Sequence, residues 1–94
     1  VEMGPSNFIT TKLSLKKGAS FKLTDSAASP HKVFNGTWDA SGTAHPAKES
    51  GAPTVNANFS GVGDSAVIGP FTTAGKFELY CSIHPGMNLT VTVS

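Results

Sequence analysis

Eight consecutive residues, Tyr80-Cys81-Ser82-Ile83-His84-Pro85-Gly86-Met87, gather the only cysteine, one of three histidines and one of two methionines. A thiolate, an imidazole and a thioether are soft-to-borderline donors, and together they suit copper better than hard cations. Their spacing, C-x2-H-x2-M, offers three ligands from one loop and leaves the site one donor short. His31, far upstream in Pro30-His31-Lys32-Val33, is the candidate that completes it. Two imidazoles and a thiolate in a plane, with a long axial thioether from Met87, form the set of a mononuclear type 1 copper site. The expected ligands are therefore His31, Cys81, His84 and Met87, around one copper ion that cycles between Cu(II) and Cu(I).

Such a loop must be held by strands. Period-two alternation is the main signal along the chain. Lys76-Phe77-Glu78-Leu79-Tyr80-Cys81 places Phe77, Leu79 and Cys81 inward, with Glu78 and Tyr80 outward. Leu89, Val91 and Val93 share the inner face of the final strand. Cys81 thus ends a core strand with its sulfur shielded from water, and the chain must turn back at once. Pro85 fixes φ and Gly86 tolerates positive φ, which suits that bend. Leu13 and Leu15, then Phe21 and Leu23, read as a hairpin about Lys16-Lys17-Gly18. A short strand through Lys32-Val33-Phe34 ends at the turn dipeptide Asn35-Gly36. The stretch from Thr37 to Thr54 reads as a long irregular excursion, with room for a short helical turn. Order returns at Val55–Phe59 and at Ser65–Ile68, where Gly69-Pro70 stops the strand. Seven or eight short strands in 94 residues predict one all-β domain over residues 1–94. The expected architecture is a two-sheet antiparallel Greek-key β-sandwich.

Composition narrows the partners. Charged residues are 14% and the net charge is +1, far too weak a bias for nucleic acid or an anionic membrane surface. One cysteine excludes an internal disulfide and a copper pair bridged by two thiolates. No apolar run approaches the length of a membrane-spanning helix. A start at Val1 without methionine is read as a processed or trimmed chain, so a membrane tether on the parent chain is compatible with it.

With those residues in view, the chain resembles the cupredoxins, and its ligand loop resembles that of amicyanins, which share the C-x2-H-x2-M spacing. Plastocyanins and pseudoazurins carry two more residues between His and Met. The resemblance runs through Val1-Glu2-Met3, Phe8-Ile9, Leu13-Ser14-Leu15-Lys16-Lys17-Gly18, the first-histidine motif Pro30–Val33, and Phe71-Thr72-Thr73-Ala74-Gly75-Lys76-Phe77. It implies a soluble, monomeric electron-transfer carrier, not an enzyme, acting outside the cytoplasm on transient redox protein partners. It further implies that His84, framed by Pro85 and Gly86, is the surface through which electrons pass. One position departs from the pattern. The residue after the first histidine is usually Asn, whose side chain ties the two ligand segments together, and here it is Lys32. Its counterpart after the cysteine is Ser82, so a looser surround or a tie through the Lys32 backbone is expected.

Other classes fare less well. A copper carrier or buffer could use the same four ligands and is the alternative reading. A two-copper oxidoreductase needs more histidines than His45 alone supplies. A Cys81-based hydrolase lacks a recognisable Asn or Asp to orient His31, and His84 sits too close on the same loop. Of the remaining residues, His45 reads as a surface residue and Met3 as packing or exposed. Trp38 reads as core or patch, and Tyr80 as a partly exposed aromatic facing away from Cys81.

Overall fold

Alternating apolar side chains draw the chain into nine strands, and the computed structural model describes residues 1–94 with no helix. The strands are β1 (Glu2–Met3), β2 (Lys12–Leu15), β3 (Ala19–Asp25), β4 (His31–Trp38) and β5 (Ala44–Pro46). They continue as β6 (Asn56–Phe59), β7 (Ser65–Phe71), β8 (Gly75–Cys81) and β9 (Asn88–Val93). One sheet has the order β1-β3-β7, and the other runs β2-β9-β8-β4-β5 with β6 also paired to β4. Inward residues of both sheets, including Met3, Leu23, Leu79, Leu89 and Val91, are fully buried and make one core. The β-sandwich of the sequence reading therefore stands. Its sheets are mixed rather than purely antiparallel, because β1 runs parallel to β3 and β2 parallel to β9.

The expected hairpin between Leu13–Leu15 and Phe21–Leu23 does not form. The turn between them is where the chain changes sheets: the Lys17 amide bonds the Ser94 carbonyl, while the next amide, Gly18, bonds Phe71. Each run alternates in the same way, so either could pair with the other or with a different strand. Leu13 and Leu15 gain more by lying beside Val91 and Val93.

Two expected stops are also crossed. Asn35-Gly36 is strand, not turn, because the Asn35 side chain is spent elsewhere. Its amide donates to Pro53 O at 3.0 Å and its Oδ1 accepts from Val55 N at 2.7 Å. Gly69-Pro70 lies inside β7, the edge strand of its sheet, where a residue without an N–H breaks no necessary ladder bond. A register shift opposite, between Ala19 and Phe21, absorbs the irregularity.

The excursion after Asn35 is more ordered than its composition suggests. Pairing of β4 with β8 ends at Asn35↔Leu79, and from Gly36 onward β4 pairs with β5 instead. Gly36 adopts φ +133°, and a Cβ there would lie 2.4 Å from His45 O and 2.9 Å from the Tyr80 ring. Only glycine lets the strand bend this closely over Tyr80. Tyr80 points away from Cys81 as alternation requires, yet it is only 4% exposed. The expected partly exposed aromatic is instead covered by Phe34 and Trp38, whose rings lie 6.3 and 6.0 Å from it.

Candidate metal centre

His31 opens β4 and Cys81 closes β8, and Cys81 pairs across the two strands with Val33, two residues beyond His31. Local structure then brings the loop back. The His84 carbonyl accepts from Met87 N at 3.1 Å, with Pro85 and Gly86 between them and Gly86 at φ +81°. That is a type II turn, with proline in the position that wants fixed φ and glycine in the one that wants positive φ. Cys81 N donates to Met87 O at 3.0 Å and closes the loop at its base. Met87 is buried, whereas Ile83, Pro85 and Gly86 are exposed around a half-buried His84.

The donor atoms converge. Cys81 Sγ lies 3.6 Å from His31 Nδ1 and 3.5 Å from His84 Nδ1, and all three atoms fall within 4.8 Å of one another. Donors bound at roughly 2.0–2.3 Å to one ion stand about 3.5–3.7 Å apart at near-trigonal angles. The spacing therefore fits a single transition-metal ion, and the sulfur–imidazole donor set selects copper or zinc over hard cations. His31 is fully buried and its other nitrogen is engaged: Nε2–H donates to Gly4 O at 2.9 Å. That bond fixes the tautomer and leaves the Nδ1 lone pair facing the thiol.

The neighbourhood of His31 holds a residue that the sequence reading passed over. Asp25, also fully buried, places Oδ1 3.7 Å from His31 Nε2 and accepts from Ala27 N at 3.1 Å. Its Oδ2 has no partner. Parity with Phe21 and Leu23 was the available signal, since it points Asp25 inward. Gly4 carried no such signal, because its part is played by a main-chain carbonyl.

Lys32 and Ser82 are joined through the backbone, with Ser82 N donating to Lys32 O at 2.8 Å, and both residues are exposed. His45 lies well away on the exposed excursion, where its Nε2 meets Asp39 Oδ2 at 2.6 Å. The Ser41 hydroxyl, then His45 and the Thr43 amide hold the Asp39 carboxyl well below the usual carboxylate range.

Burial, and secondarily charge on neighbouring His31, push the His84 imidazole below its ordinary value. The metal-free fold thus binds its proton there less readily than the unfolded chain. His84 contributes stability that is present above the ordinary histidine value near 6.5 and lost as pH falls through the lowered one. Metal-free protein is accordingly expected to melt at lower temperature below that pH, with the drop blunted in His84→Gln. A ring titration of His84 by NMR at or above the ordinary value would contradict this.

This two-sheet sandwich with a His-Cys-His cluster and a buried methionine at one end is a cupredoxin fold, and the cluster fits a type 1 copper site. Among solved structures, the chain is similar to a purple cupredoxin from Nitrosopumilus maritimus (22% identity, 99% of this chain and 98% of that one, TM-score 0.67). It is likewise similar to amicyanin from Paracoccus versutus (21% identity, 100% and 80% covered, TM-score 0.69). An oxidised amicyanin variant with a methionine replaced by lysine aligns at TM-score 0.70, with 21% identity and 100% and 79% covered. No protein-family model and no curated protein matches the chain.

Proposed function

We propose that the protein is an electron carrier in which His31, Cys81, His84 and Met87 would hold one copper ion. The convergence of Cys81 Sγ with both histidine Nδ1 atoms carries this reading. When bound, copper supplies a reversible one-electron Cu(II)/Cu(I) couple. Cys81 and His31, buried and tied into β8 and β4, resist rearrangement between the two states. His31 is further braced by Gly4, so its ring cannot swap nitrogens. His84 alone among the three reaches toward solvent, ringed by Ile83, Pro85 and Gly86. Its imidazole edge is the route by which an electron enters or leaves. An apolar rim of that kind suits brief encounters with other redox proteins and quick release. The net charge of +1 adds little long-range steering.

In this reading the protein is not an enzyme, works as a monomer and acts outside the cytoplasm, as a periplasmic or cell-surface protein. A carrier that delivers or buffers copper would use the same ligands, and the two roles separate kinetically. An electron carrier exchanges electrons between its own Cu(I) and Cu(II) forms quickly and gives up copper slowly. NMR line broadening in a mixed sample measures the first, and transfer to a chromophoric chelator the second. Rapid copper transfer with slow electron self-exchange would decide for the copper carrier.

A further inference from the structure

Trp38 takes no part in the ligand set, yet every polar group it has is bonded to an end of the ligand loop. Its Nε1–H donates to Cys81 O at 2.8 Å. Its backbone N–H donates to Asn88 Oδ1 at 2.8 Å, and Asn88 Nδ2 returns a bond to Trp38 O at 3.0 Å. Cys81 and Asn88 are the residues that bracket loop 82–87. The sheet does not require these bonds: Asn88 belongs to β9, two strands from β4 in the order β9-β8-β4. They exist because the chain bends at Gly36 and crosses the outer face of β8, laying Trp38 edge-on over Tyr80.

We propose that Trp38 and Asn88 form a clamp that positions the metal ligands of the loop. This inference rests on the copper reading above. The regular β8–β9 ladder ends at Tyr80↔Asn88, and beyond it the base of the loop is joined by the bond from Cys81 N to Met87 O. The indole fixes the peptide plane that follows the Cys81 Cα, and so the direction in which Sγ leaves the strand. The Asn88 pair fixes the first residue after Met87, and so where the thioether enters. Where Lys32 supplies no side-chain tie on the β4 side of the loop, this clamp on its β9 side sets the separation of the sulfur ligands. Trp38 is thus a positioning residue that acts through Cys81 and Asn88.

The test loads wild type, Trp38→Phe and Asn88→Ala with Cu(II) and records the visible thiolate band and the copper hyperfine splitting in EPR. Copper hold is measured on the ascorbate-reduced Cu(I) proteins by competition with the Cu(I) chelator bicinchoninate, and melting of the metal-free proteins is measured alongside. Trp38→Phe keeps an aromatic ring over Tyr80 and removes only the indole donor. Asn88→Ala removes both amide bonds and decides the matter if Trp38→Phe does not fold. Each is expected to shift the band and the hyperfine splitting and to weaken copper hold about tenfold. The double variant should fall short of the product of the singles, because both cut one network. Phe34→Leu, which loosens the same aromatic cluster and touches no loop tie, should leave the spectra unchanged. Unchanged spectra and copper hold in both single variants overturn the clamp, as does an equal spectral shift in Phe34→Leu. A wild-type protein without a thiolate band overturns the copper reading and the clamp together, whereas a wild-type band with silent variants overturns the clamp alone.

Discussion

Cys81→Ser protein supplied with Cu(II) stays essentially colourless, while wild type and His45→Ala develop an intense visible band. The band arises when a thiolate donates charge to Cu(II), and this chain has one sulfur anion to offer. A serine hydroxyl is a harder and far weaker acid, so neither the colour nor the soft donor survives. The loss of hold should exceed the roughly 10–100-fold that removing an outer partner of a metal ligand costs. His45 is the control because it is the remaining histidine and lies on the exposed excursion, paired to Asp39. Metal content is measured in parallel, since zinc on the same ligands would be colourless. A retained band in Cys81→Ser, or none in wild type, would end the copper assignment.

Gly36→Ala should destabilise the fold by roughly 2–5 kcal/mol, from strain at positive φ together with overpacking. Alanine there brings a Cβ within 2.4 Å of a main-chain oxygen and 2.9 Å of Pro46 Cα, atoms that cannot simply rotate away. For a domain of this size the loss corresponds to a drop of about 10 °C or more in melting temperature. The same change at Gly18, also at positive φ but with open space around it, carries the conformational strain without the clash. Gly18→Ala should therefore cost clearly less. Equal melting temperatures for the two variants would show that the close approach over Tyr80 is unimportant.

The candidate donors of the loop were legible because their chemistry is local. Cys81, His84 and Met87 lie within seven residues, and the turn joining them is written in Pro85-Gly86. Alternation in β8 and β9 gave the inner face correctly down to Leu79 and Val91. What alternation cannot say is what lies on the other face. Tyr80 points the expected way, and only the distant stretch after Gly36 makes that direction an interior. Pairing partners were hidden for a related reason: Leu13 and Leu15 carry the same pattern whether they face β3 or β9. Turn dipeptides misled where tertiary demand outweighed them, as at Asn35, whose amide is needed by Pro53 and Val55. Contacts made by main-chain atoms, such as Gly4 O on His31, leave no mark in side-chain chemistry.

The indole over the ligand loop has one more use. Trp38 is the chain's only tryptophan, and its N–H is bonded to the Cys81 carbonyl. Emission from this single tryptophan comes from one place, the edge of the candidate metal centre. A nearby ion absorbing in the visible would dim it by energy transfer. Release of its hydrogen bond would shift its colour. Metal loading and loop closure could thus be followed in real time in unlabelled protein.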